Sequence, residues 1–286
     1  MERHFCLDDS PTFRLIQLDE VDSTNNFLRH LDTHGDCRMT LVTAEYQSAG
    51  RGADTNRWES AKGENLLFSL RVTFSDLPVS RMFAISEATA LAIRDSLTLT
   101  VSKGEGTLPI TLPVGRGFSV KWPNDIYYGD SKVAGILIEN DLQGSKVRSS
   151  VIGVGINVNQ RHFVSDAPNP RSLADIVGHD VERRLVLERF MERITHYINM
   201  IDGGEKEALD ALHESYKMHL YRRGEKHKYV DEMGVFCATL VDVEPSGHLI
   251  LLDEEERHRR YAFKEVHYIG TIVTIGTIIN GKNHKT

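Results

Sequence analysis

Residues 121–139 read KWPNDIYYGDSKVAGILIE, and this stretch sets the expected arrangement of the central sheet. A strand running into Trp122 must end at Pro123, because proline cannot donate a hydrogen bond to a β-ladder. A second apolar strand, Val133–Glu139, follows a short polar segment. Three charged residues are therefore expected at strand ends, where active sites often form: Lys121, Asp125 and Lys132.

Other apolar runs, rich in Val, Ile, Leu and Phe, predict further buried strands of the same sheet. They are Met39–Tyr46, Asn65–Val72, Phe118–Trp122 and Val151–Val158. Apolar residues at helical spacing predict one helix with a stripe from Phe83 to Ile93, capped by Ser80, and another with a stripe from Leu187 to Ile201. Both helices are expected to pack on the sheet.

The composition changes near Tyr221, where we expect a domain boundary. Short strands are predicted at Val235–Val243, His248–Asp253 and Arg257–Phe263, which indicates a small antiparallel barrel or meander. The predicted organisation is a domain over residues 1–220, a second over 221–273 and a tail over 274–286. A glycine- and proline-containing stretch, Thr98–Gly117, is expected to form a surface excursion.

The overall composition favours a protein of the size of an enzyme, with its cysteines in the reduced state. A net charge of -7 and a pI near 6.0 provide no general attraction for nucleic acid or an anionic membrane surface. The three cysteines are odd in number and far apart, which is typical of free thiols in a cytosol. The N-terminus has no apolar secretory segment, and no apolar run approaches the length of a membrane span. We therefore expect a cytoplasmic location.

A Gly-Arg-Gly tripeptide, Gly50–Gly52, marks the loop between two predicted strands. Glycines let backbone N–H groups approach an anion closely, and the guanidinium of Arg51 matches a phosphate or carboxylate. Arg57 adds a second cation and Trp58 a face for stacking. Such tripeptides also occur in ordinary exposed turns. The sequence has neither a P-loop motif nor a dinucleotide fingerprint, so a nucleotide site must be of another kind.

Three further elements each have a structural and a functional interpretation. Asn124-Asp125 forms a simple turn or places a carboxylate that can hold Mg²⁺ beside a nucleotide. The glycines of Val151–Asn159 permit close approach of a ligand, and Asn157 either binds it or ends the strand. Asp22–Asn26 has the composition of a helix cap, yet its polar groups also suit a small polar head group. Lys132, taken alone, is a solvated lysine beside a strand.

These elements, in this order, resemble the biotin protein ligase family. The resemblance rests on the Asp-Ser-Thr-Asn start at 22–25, the Gly-Arg-Gly loop with its tryptophan, the Lys-Trp-Pro-Asn-Asp segment at 121–125 and the Gly-Ile-Asn strand at 155–157. It implies an α+β fold: a mixed sheet with flanking helices, related to class II aminoacyl-tRNA synthetases, followed by a small SH3-like β-barrel. It also implies ATP-dependent activation of biotin and transfer to a lysine of a carboxylase carrier domain.

The resemblance assigns roles to individual positions. The residues implied in biotin binding are Ser23, Thr24, Asn25, Gln47, Arg51, Gly52, Ala53, Lys132 and Gly135. Those implied in ATP or adenylate binding are Arg51, Arg57, Trp58, Lys121 and Asn157. The implied catalytic residues are Arg51, Lys132 and Asp125, with Asp125 also the candidate Mg²⁺ ligand.

The sequence departs from the family pattern in two places. The family loop continues with further arginines, whereas this chain has Ala53, Asp54 and Asn56, which predicts a weaker hold on the adenylate. The segment before Asp22 is too short for the helix-turn-helix domain of ligases that are also repressors, so we expect no DNA binding. The expected assembly is a monomer or homodimer. A lipoate or octanoate ligase or transferase, or a non-catalytic biotin-binding module, are the alternatives.

Overall fold

The structure, a computed structural model, describes residues 2–5, 13–31, 37–52, 56–102, 117–164 and 169–269. It divides the chain into two compact units, with the division after Tyr221. In the described residues, no helix is both long and apolar enough to cross a membrane.

The first unit is built on an eight-stranded mixed sheet. In chain order its strands are β1 (Glu2–Phe5), β2 (Phe13–Val21), β3 (Met39–Gln47), β4 (Leu66–Pro78), β5 (Phe118–Lys121), β6 (Asp125–Tyr128), β7 (Ser131–Gln143) and β8 (Lys146–Ile156). The spatial order is β1-β2-β3-β4-β8-β7-β6-β5. Strands β2 and β3 are parallel, and the other neighbouring pairs are antiparallel. The predicted mixed sheet is confirmed.

In the part of the chain that the structure describes, five α-helices accompany this sheet: α1 (Thr24–His30), α2 (Ala84–Ser102), α3 (Leu173–Val177), α4 (Arg183–Asp202) and α5 (Lys206–Met218). Helix α4 packs on β4, where the rings of Phe68 and Phe190 lie 4.9 Å apart. Helix α2 contacts both α4 and α5. Helix α1 lies on the central strands β3, β4 and β8, so its polar N-terminus is placed at the middle of the sheet.

The structure corrects two expectations around α2. Ser80 lies in a 3-10 turn, Val79–Arg81, and α2 begins only at Ala84. The helix then continues through Ser102, so the excursion predicted to begin at Thr98 is wrong for its first five residues. The reason is packing: Leu97 and Val101 extend the apolar stripe and are fully buried. Residues 103–116 of the predicted excursion lie outside the described residues.

The second unit contains a five-stranded antiparallel sheet in the order β12-β11-β10-β9-β13. Its strands are β9 (Lys226–Asp231), β10 (Gly234–Val243), β11 (Leu249–Asp253), β12 (His258–Tyr261) and β13 (His267–Tyr268). Asp253 binds Arg257 and Arg259 through its carboxylate and thereby fixes the turn between β11 and β12. The SH3-like form of this unit stays a prediction.

Candidate active site

A pocket of about 460 Å³ opens at the centre of the first unit, between α1, the Gly-Arg-Gly loop and strands β7 and β8. We name it pocket A. The residues that line it and carry the argument below are Ser23, Thr24, Asn25, Gln47, Arg51, Gly52, Trp58, Asp125, Lys132, Gly135, Gly153 and Gly155.

The N-terminus of α1 supplies one wall of pocket A. Ser23 caps the helix by accepting a hydrogen bond from the backbone N–H of Asn26 at 3.5 Å, so the predicted cap is confirmed. Ser23, Thr24 and Asn25 are each no more than 3% exposed. Buried polar side chains need hydrogen-bond partners. The partners of Thr24 and Asn25 lie on the surrounding strands.

A continuous set of hydrogen bonds joins Thr24, Asn25, Gln47 and Ser69, and we call this set the inner end of pocket A. Gln47 Oε1 accepts from the backbone N–H of Thr24 at 2.7 Å and lies 3.0 Å from Thr24 Oγ1. Ser69 Oγ lies 2.7 Å from Thr24 Oγ1 and 2.5 Å from Asn25 Oδ1. Each of these polar groups is therefore held by a hydrogen bond to a neighbour.

Glu139 of β7 links this inner end to the Gly-Arg-Gly loop. Its Oε2 accepts from Asn25 Nδ2 at 2.9 Å and from Arg51 Nη1 at 3.3 Å. Its Oε1 accepts from Arg51 Nη2 at 3.2 Å and from Arg29 Nη1 at 2.8 Å. Burial raises the pKa of Glu139, but the hydrogen bonds from Asn25 and Arg51 and the two positive charges outweigh it, so the pKa lies below its ordinary value.

Arg51, Trp58, Asp125 and Lys132 form what we call the outer end of pocket A. Lys132 Nζ lies 2.7 Å from Asp125 Oδ1 and 5.7 Å from the centre of the Trp58 ring. The register places Asp125 and Lys132 together, because β6 pairs with the start of β7 in an antiparallel hairpin. A cation, a carboxylate and an aromatic face thus meet at the strand ends that the sequence indicated.

Trp58 lies directly on the backbone of two paired glycines. A Cβ atom added to Gly135 would come within 2.8 Å of the indole, and one added to Gly155 within 2.3 Å. These glycines face each other across β7 and β8, so their missing side chains create the space that the ring fills. Trp58 Nε1 is buried and has no hydrogen-bond partner among the described residues.

A second pocket of about 370 Å³ adjoins the same tryptophan, and we name it pocket B. It is lined by Arg57, Trp58, Glu59, Lys132, Asn157, Phe163 and Pro170. Trp58 and Lys132 line both pockets. The boundary between the pockets is therefore formed by an aromatic ring and a primary amine.

The structure brings most of the predicted residues together. All the predicted biotin-binding residues that are described line pocket A, and Arg57, Trp58 and Asn157 line pocket B. Ala53 and Asp54 lie outside the described residues. Lys121 lines neither pocket, and its amine instead donates to the hydroxyl of Tyr127 at 2.9 Å. The structure therefore does not bring Lys121 to the site.

Sequence reasoning missed Ser69 and Glu139. Ser69 is a single polar residue inside an apolar run, and Glu139 is the last residue of the predicted strand Val133–Glu139, where a charge is ordinary. The glycines of β8 did predict a close approach, but their neighbours are side chains of the site itself: Asn25 lies over Gly153 and Trp58 over Gly155.

Comparison with known proteins gives a consistent result. Residues 18–157 match the model of the biotin/lipoate A/B protein ligase family. The bifunctional ligase/repressor BirA of Bacillus spizizenii is 27% identical over 261 residues, which cover 87% of this chain and 72% of that protein. A biotin–[acetyl-CoA-carboxylase] ligase of Mycobacterium tuberculosis is 30% identical over 182 residues, 62% of each chain.

Solved structures agree with the sequence comparison. The structure of a biotin protein ligase from Aquifex aeolicus in complex with biotin and ATP superposes with a TM-score of 0.68 at 26% identity. The superposition covers 89% of this chain and 99% of that one. The similarity thus extends beyond the matched domain to most of the fold.

Proposed function

We propose that the chain is an ATP-dependent biotin protein ligase, since residues 18–157 match the model of the biotin/lipoate A/B protein ligase family. It activates biotin as biotinyl-5′-AMP and transfers the biotinyl group to a lysine of a biotin carboxyl carrier domain. The observation that carries this proposal is the shared boundary of the two pockets, where Trp58 and Lys132 line both. Two of the proteins compared above are biotin ligases by name, so the lipoate or octanoate alternative is not favoured.

We place biotin in pocket A and the nucleotide in pocket B. The ureido ring of biotin has both donors and acceptors, and the inner end of pocket A offers hydroxyl, amide and backbone groups that are already oriented. The carboxylate of biotin would then point towards Arg51 and Lys132. Pocket B offers the second arginine, Arg57, together with Trp58 and the amide of Asn157.

In the first step the carboxylate of biotin attacks the α-phosphate of ATP, and pyrophosphate leaves. The chemistry requires opposite charge around the transferring phosphate more than it requires a protein nucleophile. Lys132 lies between the two pockets, where its amine can contact both the attacking carboxylate and the phosphate. Arg51 supports the same carboxylate from the loop.

In the second step the neutral amine of the acceptor lysine attacks the carbonyl of biotinyl-5′-AMP, and AMP leaves. Asp125 is the carboxylate of this site and is held by Lys132 at 2.7 Å. We assign it two roles: to assist in removing the proton of the incoming amine and to contribute one ligand to Mg²⁺ that enters with ATP. A nucleotide-bound Mg²⁺ needs only one or two protein carboxylates, and it would neutralise phosphate charge.

The remaining parts of the proposal concern organisation. The first unit would be the catalytic domain, related to the class II aminoacyl-tRNA synthetases, and the five-stranded unit would be an SH3-like accessory domain. The acceptor would be a carrier domain of a carboxylase. The monomeric or homodimeric state, the cytoplasmic location and the lack of DNA binding stay predictions.

Pyrophosphate exchange tests this function directly. We expect the full chain to incorporate labelled pyrophosphate into ATP when biotin is present, and not with lipoate or octanoate. It should then biotinylate a carrier domain, but not a carrier whose acceptor lysine is replaced by arginine. Exchange with lipoate alone would identify the related ligase, and biotin binding without exchange would identify a binding module.

Lys132→Ala tests the mechanism within this function. We expect biotin-dependent exchange to fall by about 100-fold or more, because a cation at the transferring phosphate is lost. The matched control is Lys146→Ala, which removes a lysine that pairs with Asp76 at the same 2.7 Å but lines neither pocket. Exchange at the native rate in a folded Lys132→Ala protein would refute the role of Lys132.

A further inference from the structure

Glu139 contacts groups at both ends of pocket A although it is not among the residues that line it. One of its oxygens, Oε2, accepts from Asn25 at the inner end and from Arg51 at the outer end. The contacts join parts of the chain separated by 88 and 114 residues. Only the folded sheet brings these groups together.

The bond to Glu139 fixes the orientation of the Asn25 side chain. Asn25 Nδ2 faces two acceptors, the carboxylate of Glu139 at 2.9 Å and the carbonyl of Leu137 at 3.3 Å. Since neither can donate, the amide must present its oxygen to the opposite side. There Asn25 Oδ1 accepts from Ser69, whose hydroxyl also contacts Thr24. By orienting the Asn25 amide, Glu139 therefore sets which groups at the inner end donate and which accept hydrogen bonds.

The bonds to Glu139 also orient the guanidinium of Arg51. The carboxylate of Glu139 accepts hydrogen bonds from Nη1 and Nη2 of Arg51, along one edge of the guanidinium. Asn26 Oδ1 accepts a further hydrogen bond from Nη1 at 2.9 Å. An arginine has five N–H donors in a planar fork. The edge formed by Nε and Nη2 thus remains for a second anion, because no hydrogen bond to a described residue engages Nε. Arg51 can keep Glu139 while it binds a carboxylate.

We propose that Glu139 is a positioning residue that aligns both the biotin-binding and the carboxylate-binding ends of pocket A. This inference rests on the proposed ligase function. Glu139 acts through Asn25 and Arg51 and does not itself touch substrate. Arg29, whose side chain is 56% exposed, adds charge to the cluster from outside the pocket.

The kinetic test is Glu139→Ala in the pyrophosphate exchange assay. We expect the KM for biotin to rise about tenfold and kcat to fall about tenfold, the usual range for loss of a charge-assisted hydrogen bond. Glu139→Gln, which keeps the length and one acceptor oxygen, should recover part of both. In the Arg51→Ala background, Glu139→Ala should add little to the loss of kcat, because the two residues act as a unit.

Asp202→Ala is the matched control. Asp202 is a carboxylate of similar exposure, 15% against 20%, and it binds Arg38 and Ser75 without lining either pocket. We expect it to lower stability with native KM and kcat. The proposal would be overturned if Glu139→Ala kept native KM and kcat, or changed them no more than Asp202→Ala does. It would also be overturned if the losses of kcat in Glu139→Ala and Arg51→Ala were fully additive.

A tryptic assay separates this inference from the ligase function. If Glu139 holds Arg51, Glu139→Ala should speed cleavage after Arg51 by severalfold under native conditions, and Asp202→Ala should not. Mass spectrometry identifies the site. A wild-type chain without biotin-dependent exchange would refute the ligase function, whereas unchanged cleavage after Arg51 would refute the hold of Glu139 on the loop.

Discussion

The two ends of pocket A satisfy their polar groups in different ways. The inner end consists of neutral groups, of which Thr24, Asn25 and Ser69 are buried and hydrogen-bonded to one another. At the outer end, the cations Arg51 and Lys132 are paired with carboxylates, and their side chains are 39% and 21% exposed. Partly exposed ion pairs exchange partners at little cost, whereas buried neutral networks do not. The inner end therefore suits recognition, and the outer end suits the handling of charge.

Gly153 and Gly155 of β8 allow the two ends to be perturbed separately. They are two residues apart on one strand, so they share a face of the sheet. A Cβ atom at Gly153 would meet Asn25 Oδ1 at 2.2 Å, and one at Gly155 would meet the Trp58 indole at 2.3 Å. No real contact is so short, and the overlying side chain must move.

Among the variants that compare the two ends, those at these two glycines should have the largest effects. Gly153→Ala should raise the KM for biotin, and Gly155→Ala the KM for ATP, each by about tenfold or more, because overpacking costs about 1–3 kcal/mol. Steady-state exchange with each substrate varied measures both. Gly117→Ala is the control, since a Cβ there meets nothing within 4 Å. If both variants raised the same KM, the two ends would not be separate.

The outer end could be predicted from the sequence because its chemistry is local. Gly-Arg-Gly with Trp58, and Asp125 after the proline break with Lys132 at the start of the next apolar strand, are each visible in a short window. The inner end was visible only in part. The sequence of Asp22–Asn26 predicts a helix N-cap, and the structure has one there. The same short segment also supplies Asn25 to the pocket.

Ser69 and Glu139 could not be found in this way, because their roles depend on strand register. Ser69 pairs with Gly153 across β4 and β8, and Glu139 pairs with Val151 across β7 and β8. Only this register brings both residues to Asn25. The mixed sheet was predictable from its apolar runs, but β2, whose sequence FRLIQLDEV carries charges, was not. It pairs in parallel with β3, a long-range contact without a short motif.

An intermediate effect is expected from Ser69→Ala, which tests whether the inner end works as a network. The variant removes the hydroxyl that contacts Thr24 and Asn25, and the free energy of unfolding should fall by about 1–3 kcal/mol. The KM for biotin should rise severalfold and that for ATP should stay native. Ser96→Ala, which removes an equally buried hydroxyl from α2, should leave both KM values native. An effect on ATP alone would contradict the division of the pocket.

The smallest effect is the pH dependence that Glu139 adds to stability. Its pKa is lowered in the folded chain from the ordinary value of 4.5, because Asn25 and the arginines stabilise the carboxylate despite its burial. A lowered pKa means that the stabilisation is complete above pH 4.5 and is lost as the pH falls through the folded-state pKa. Its size should be about 1 kcal/mol or less, since both arginines are partly exposed.

Comparison with Glu139→Gln isolates this contribution from that of other carboxylates, because glutamine does not titrate. Urea unfolding of both proteins between pH 7 and pH 3 should give a constant difference above pH 5 and a shrinking one below it. A difference that stays constant to pH 3 would mean that the ion pairs of Glu139 do not stabilise the fold. Glu139 would then matter only through the orientation of Asn25, and the outer end would owe its geometry to the loop alone.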